Sequence, residues 1–223
     1  MPRTRVKFCG IMTAADAGAA VAAGADAIGM ILHANARRRI DPDVATGIVA
    51  AAGPFVTTVG VFVDLEPERI LEIAEALSLG AVQLHGRETP ADAEALRPFK
   101  IIKAIKCDAG TIRASLDDWR SSYAAGELPN LAAILLETPS AEGGGTGEAN
   151  DFALIASLRD EGAFAGLPPV IVAGGLRPDN AARVARVLSP YAVDVSTGIE
   201  ESFGRKSPEL MRRFIRELNA ADA

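Results

Sequence analysis

Histidine and cysteine are scarce in this 223-residue sequence, with two of each: His33 and His85, Cys9 and Cys107. So few donors supply no rich metal site, and two cysteines cannot build a disulfide framework. Aromatic residues make up only 5% of the chain, which argues against stacking platforms for single-stranded nucleic acid. No run approaches the length of apolar residues needed to span a bilayer, and the opening Met1-Pro2-Arg3-Thr4-Arg5 leads into a strand rather than a signal peptide. Basic residues are also outnumbered, 23 against 29 acidic, for a formal charge of −6. That sign disfavours nucleic acid and acidic membrane surfaces as partners. Together these absences describe a cytoplasmic, reduced, metal-independent domain.

What is plentiful is Ala, Val, Ile and Leu, arranged in a beat. Eight short apolar runs read as buried parallel strands: 5–9, 27–32, 57–63, 81–84, 101–105, 132–136, 170–173 and 192–196. They lack period-2 alternation, as expected where helices cover one face of a sheet and a core fills the other. Alanine-rich stretches with helical punctuation lie between them. Thr13 caps a helix that ends at Gly24, and Asp41-Pro42, Thr89-Pro90 and Ser207-Pro208 each place a cap residue before a first-turn proline. Pro67 and Pro178 open two more. About 28 residues per strand-helix unit is the size of a compact eightfold barrel. An open doubly wound sheet would carry a glycine fingerprint in its first turn, where this chain has Cys9-Gly10-Ile11. The expected fold is therefore a single (βα)8 TIM barrel spanning residues 1–223, with its active site at the C-terminal ends of the strands.

Residues at those ends converge on one mouth however far apart they lie in sequence. They are Cys9, His33, Asp64, His85, Lys106 or Cys107, Glu137, Gly174-Gly175 and Ser196-Thr197-Gly198. Glycines after strands seven and eight let backbone N–H groups approach an anion, which points to phosphate. Cys9 shares a strand face with Lys7, and a modest depression of its thiol pKa would make it a base near neutrality. Glu137 follows Ile134-Leu135-Leu136 and enters a glycine-rich loop, so apolar neighbours would raise its pKa toward that of a general acid. Asp194 lies inside Val193-Asp194-Val195, where it must face the mouth or meet a donor. Of Arg37-Arg38-Arg39, one guanidinium can clamp a carboxylate. This set suits proton shuttling on an anionic sugar phosphate, without naming the substrate.

Six motifs in order carry more than any one of them. Lys7-Phe8-Cys9-Gly10-Ile11, Val59-Gly60-Val61-Phe62-Val63, Gln83-Leu84-His85-Gly86, Gly144-Gly145-Thr146-Gly147, Gly174-Gly175-Leu176 and Asp194-Val195-Ser196-Thr197-Gly198-Ile199-Glu200 together resemble the phosphoribosylanthranilate isomerase family. The likeness runs from residue 5 to about residue 215. It implies an Amadori rearrangement in tryptophan biosynthesis, aminoaldose to aminoketose, with no cofactor and no metal. Carried over by motif, Cys9 is the base that takes the sugar C2 proton and Glu137 the acid that opens the ring. Arg38 would hold the anthranilate carboxylate and Asp194 would contact its nitrogen, with Lys7, Gln83 and His85 also facing substrate. The phosphate would lie among Gly144, Gly145, Thr146, Gly147, Gly174, Gly175, Ser196, Thr197 and Gly198.

The chain departs from the family pattern at four places. Glu137 stands where the family typically carries aspartate, Ala36 where a serine often precedes the arginine, Glu148 where a lysine often follows the glycine loop, and Ser207 where aspartate follows Lys206. Two other readings stay open on sequence alone: a divergent sugar-phosphate isomerase or epimerase, and a barrel that binds a phosphate ligand without turning it over. A monomer and a homodimer are equally compatible with the sequence.

Overall fold

The structure is a computed structural model and describes residues 3–138 and 152–222. Local chemistry sets its helix starts. Thr13 accepts a hydrogen bond from the Asp16 N–H at 3.1 Å and opens α1 (Ala14–Ala23), which Gly24 closes in the left-handed region at φ 98°. Before α4 (Pro90–Ala95), Thr89 and Asp92 each bond the other's backbone in a reciprocal cap. Ser207 accepts from the Leu210 N–H at 3.3 Å ahead of α8 (Pro208–Asp222). Asp41 departs from expectation: it makes no side-chain cap bond to α2 (Pro42–Ala52) and lies 3.5 Å from the Arg39 guanidinium instead.

Eight strands pair in parallel and close on themselves. They are β1 (Arg5–Phe8), β2 (Ala27–His33), β3 (Thr57–Phe62), β4 (Ala81–Leu84), β5 (Lys100–Lys106), β6 (Leu131–Glu137), β7 (Val170–Ala173) and β8 (Ala192–Val195). Each lies within one residue of its expected run at either end. The apolar runs continue without alternation because both faces are buried. Along β6, Ala133 and Leu135 fill the barrel while Ile134 and Leu136 pack under the helices. Helices α3 (Pro67–Ala76), α5 (Ile112–Ala124), α6 (Phe152–Asp160) and α7 (Pro178–Leu188) complete the outer layer among the described residues. None of these helices is long and apolar enough to cross a membrane.

The register brings the chemistry level. Lys7 of β1 is opposite Asp194 of β8, and Glu137 of β6 lies between Lys106 of β5 and Ala173 of β7. The chain after β8 holds elements that the sequence pattern does not announce. A 3-10 turn (Thr197–Ile199) leads into a hairpin of β9 (Glu200–Ser202) and β10 (Arg205–Lys206), which folds beside the mouth before α8 begins.

Candidate active site

Cys9 is the residue after β1, its N–H bound to the Val195 carbonyl at 2.9 Å, which fixes it against the end of β8. Two positions back, the Lys7 ammonium reaches Asp194 Oδ1 at 3.0 Å, and both side chains are almost wholly buried. The same ammonium acts electrostatically on the Cys9 thiol. Gly29 of β2 makes room for this cluster. A Cβ there would come within 2.8 Å of Cys9 Sγ and 2.9 Å of Lys7 Nζ, closer than packed atoms allow. Sequence reading passed over Gly29, although a glycine interior to a strand is a known mark of close approach.

The electrostatics of the pair depart from the sequence expectation. Burial pushes the Cys9 thiol above its ordinary value; Lys7 and Lys206 pull it down, and Asp194 pushes it up again. The depression that a base near neutrality would need is absent, because the site that gives Cys9 a cation also removes its water. Burial would lower Lys7 too, yet Asp194 and Cys9 hold its pKa above the ordinary lysine value. At neutral pH Lys7 therefore rests as the ammonium and Cys9 as the protonated thiol.

A second group forms above β1 and β8. Glu200 accepts from Arg38 Nε at 2.8 Å and Arg38 Nη2 at 2.7 Å, and from Lys206 Nζ at 2.9 Å. Lys206 also donates to the Ser196 carbonyl at 2.9 Å. Burial would raise the Glu200 carboxyl, but Arg38 and Lys206 bring it down to about 2. The Arg37 and Arg38 guanidiniums stack on Phe203 at 3.8 and 4.3 Å, so the β9–β10 hairpin holds the basic run at the mouth. Gly10, at φ 68°, lies where a Cβ would meet Ser196 Oγ at 2.9 Å and Arg38 Cδ at 3.0 Å. Arg38 thus does clamp a carboxylate, though one supplied by the protein. Glu200 and Lys206 belong to the site and were not named as site residues from sequence.

Across the mouth, His85 follows β4 and Glu137 ends β6. His85 Nε2 is 3.1 Å from Glu137 Oε2, and His85 Nδ1 is 2.7 Å from the Gln83 amide nitrogen. Burial alone would raise the Glu137 pKa, as expected from its apolar neighbours, but His85, Lys106 and Lys7 bring it below the ordinary glutamate value. Lys7 therefore acts on both Cys9 and Glu137. A cavity of about 570 Å³ opens beside Glu137, lined also by Asp64, His85, Lys106 and Trp119. Cys107 is buried behind this group, its thiol pushed up to about 12 by burial and by Glu137, which leaves it inert. His33 lies at the same rim, bonded through Nδ1 to the Val63 carbonyl at 3.1 Å.

A buried ion pair holds the His85 loop. Glu88 accepts from the Asp64 N–H at 2.9 Å, the Gly86 N–H at 2.9 Å and Lys103 Nζ at 2.7 Å. Lys103→Met would leave Glu88 buried without its cation. Breaking such a pair costs about 3 kcal/mol or more, roughly 6–12 °C in Tm for a chain this size. Thermal unfolding of the variant checks this, and a drop under about 2 °C would show that the pair contributes nothing net.

The two glycine turns abut one another. Gly174 and Gly175, after β7, have φ of 95° and 56°, a region that L side chains rarely adopt. Asn180 near the start of α7 donates to the Gly175 carbonyl at 3.0 Å and fixes the turn. Gly198, between Thr197 and Ile199, packs so tightly on the Leu176 carbonyl that no Cβ fits. Ser196 and Thr197 lead into it. Gly144, Gly145, Thr146 and Gly147, also expected at phosphate, lie outside the described residues, as does Glu148.

Comparison with known proteins agrees with this layout. A family model described as N-(5'-phosphoribosyl)anthranilate isomerase matches residues 6–217. A Pseudomonas fluorescens protein of that name is 44% identical over 100% of this chain and 99% of its own length. One from a Geobacter species is 40% identical over 96% and 97%. Among solved structures, the Thermotoga maritima phosphoribosylanthranilate isomerase covers 97% of this chain and 99% of its own, with a TM-score of 0.84 at 36% identity. A second, with a TM-score of 0.81 at 33% identity over the same shares, holds reduced 1-(o-carboxyphenylamino)-1-deoxyribulose 5-phosphate.

Proposed function

The chain belongs to the N-(5'-phosphoribosyl)anthranilate isomerase family and catalyses that Amadori rearrangement in tryptophan biosynthesis, and from that premise we propose which of its groups move the protons. Glu137 is the general acid. Its proton goes to the furanose ring oxygen as the C1–O bond breaks, and the anthranilate nitrogen's lone pair closes the iminium. Cys9 is the general base: its thiolate takes the C2 proton, and the C–H electron pair neutralises the iminium to give the enolamine. Protonation at C1 and loss of the C2 hydroxyl proton then yield the ketone.

The observation that carries this reading is the placement of Lys7. Its buried ammonium is held by Asp194 at 3.0 Å and acts electrostatically on both Cys9 and Glu137, so base and acid share one charged centre. The cation also favours electron density building on a sugar between them. Arg38, already paired with Glu200, would turn its guanidinium to the anthranilate carboxylate, while Asp194 contacts the nitrogen and Gln83 and His85 face the sugar. Gly174, Gly175, Ser196, Thr197 and Gly198 offer the phosphate a backbone cradle, and Gly144–Gly147 is proposed to join it on sequence grounds. Unpaired thiols at Cys9 and Cys107 support a reducing, cytoplasmic setting.

Mixing purified protein with phosphoribosylanthranilate should abolish the anthranilate-ring fluorescence of the substrate catalytically and release the aminoketose phosphate. The reduced product analogue should compete. Turnover of a plain pentose phosphate with none of the anthranilate compound would refute the reading.

A further inference from the structure

Glu137 has a difficulty that its own surroundings create. As the acid it must arrive protonated, yet its carboxyl is held below the ordinary glutamate value while the Cys9 thiol is held above its own. The resting pair at neutrality thus carries its proton on the wrong member. Some neighbour must hold the acid's proton. Imidazole is the one ordinary side chain that exchanges a proton near neutral pH, and His85 Nε2 lies 3.1 Å from Glu137 Oε2.

The far side of His85 has an unusual partner. Gln83 is 1% exposed, and its amide nitrogen lies 2.7 Å from His85 Nδ1. In that orientation the amide donates to a neutral ring whose Nε2–H points at Glu137. Gln83 Oε1 is then a buried acceptor with no hydrogen-bond partner among the described residues, a state that costs about 1–3 kcal/mol. Rotating the amide by half a turn would put this oxygen on Nδ1, where it accepts the extra proton of an imidazolium. One buried amide can therefore serve both protonation states of the ring.

We propose that Gln83, His85 and Glu137 form a proton relay in which imidazolium at His85 supplies the proton that Glu137 delivers to the ring oxygen. The proton passes from Nε2 to a Glu137 carboxylate oxygen, and Glu137 passes its proton to the sugar as C1–O breaks. His85 is left neutral, with Gln83 turned back to donate to Nδ1, and water reprotonates it after the cycle. Other charges around the ring are largely matched. Asp64 pairs with Arg87 and Glu88 with Lys103; Lys7 is held by Asp194, Lys106 acts on Glu137, and Cys107 is neutral. Glu137 is the carboxylate in direct contact with the ring. This rests on the reading of Glu137 as acid, and it makes His85 and Gln83 positioning residues rather than simple substrate contacts.

The test is the pH profile of kcat/KM. With the acid's pKa below that of Cys9, the rate should rise with pH up to the acid's pKa and stay flat until the thiol titrates. For the relay, the proton that sets the rising limb is the one shared along the 3.1 Å contact between His85 Nε2 and Glu137 Oε2. His85→Gln retains an amide donor but cannot titrate. It should move the limb to lower pH and drop the plateau tenfold for each unit that the limb moves. Gln83→Met, similar in size at a buried site, should move the limb the same way by a smaller amount. An unmoved limb in His85→Gln, with Tm within a few degrees of wild type, overturns the relay while leaving Glu137 as acid. Full turnover in Glu137→Gln would instead remove the acid assignment itself.

Discussion

Cys9→Ala is expected to lower kcat/KM by about 10²–10⁴ at the acid edge of the flat region, the usual worth of a well-placed base, and by more at higher pH. The variant should still fold. Cys9 is buried at the end of β1 and packs as a small side chain, so removing its sulfur costs on the order of 1 kcal/mol, a few degrees in Tm. Cys9→Ser should be almost as inactive, since a hydroxyl in the same dry position ionises far less readily than a thiol. Binding of the reduced product analogue should survive both changes, because the phosphate turns and Arg38 are untouched. The raised thiol pKa gives the wild type its second signature. Below the thiol pKa, each unit of pH increases the thiolate tenfold and decreases the protonated acid tenfold, so the two cancel. Above it the thiolate is complete and the rate falls as the acid empties. Without the thiol nothing offsets the emptying acid, so the residual rate of Cys9→Ala should fall with pH from the acid's pKa onward; a flat region present in wild type and absent from the variant assigns the compensation to the sulfur. Cys9→Ala within tenfold of wild type would remove the base from the mechanism.

The barrel was legible because its information is local. Each strand is a short apolar run and each helix carries its own punctuation, so Thr13, Gly24, Pro90 and Pro208 act where they stand. The end of each strand then follows, and with it the roster of the mouth: Cys9, His85, Glu137 and the paired glycines. What escaped was the pairing of charges, since partners are chosen by closure of the sheet. Lys7 and Asp194 are 187 residues apart and meet only because β8 closes on β1. Arg38 and Glu200 are separated by 162 residues and meet through a hairpin that no apolar run announces. The direction of both pKa values was out of the sequence's reach for the same reason. Apolar neighbours in sequence argued for a raised Glu137, but the deciding neighbour, His85, is 52 residues away. A lysine two residues from Cys9 argued for a lowered thiol, but burial by the whole barrel prevails.

Glu137 separates proton transfer from reach, through two substitutions whose order matters. Glu137→Gln keeps the length of the side chain and can still accept from His85 Nε2, but holds no transferable proton. It should lose about 10²–10⁴ in kcat/KM, the usual worth of a general acid. Glu137→Asp keeps the proton and draws the carboxyl back by about the length of one methylene, pulling it off the 3.1 Å bond to His85 unless the ring follows it. Misplacement on the scale of an ångström costs up to about 100-fold. The expected order is therefore wild type, then Asp, then Gln, with Asp also giving up some of the His85-dependent limb. Because the carboxyl is only partly buried and its hydrogen bond to His85 is itself half-exposed, neither change should move Tm by more than a few degrees. Single-turnover fluorescence decay on the three proteins reads the order directly. If Asp matches Gln, the carboxyl's reach to His85 governs the acid step; if Asp equals or exceeds wild type, that hydrogen bond is dispensable, and ring opening needs only a carboxylic acid at the end of β6.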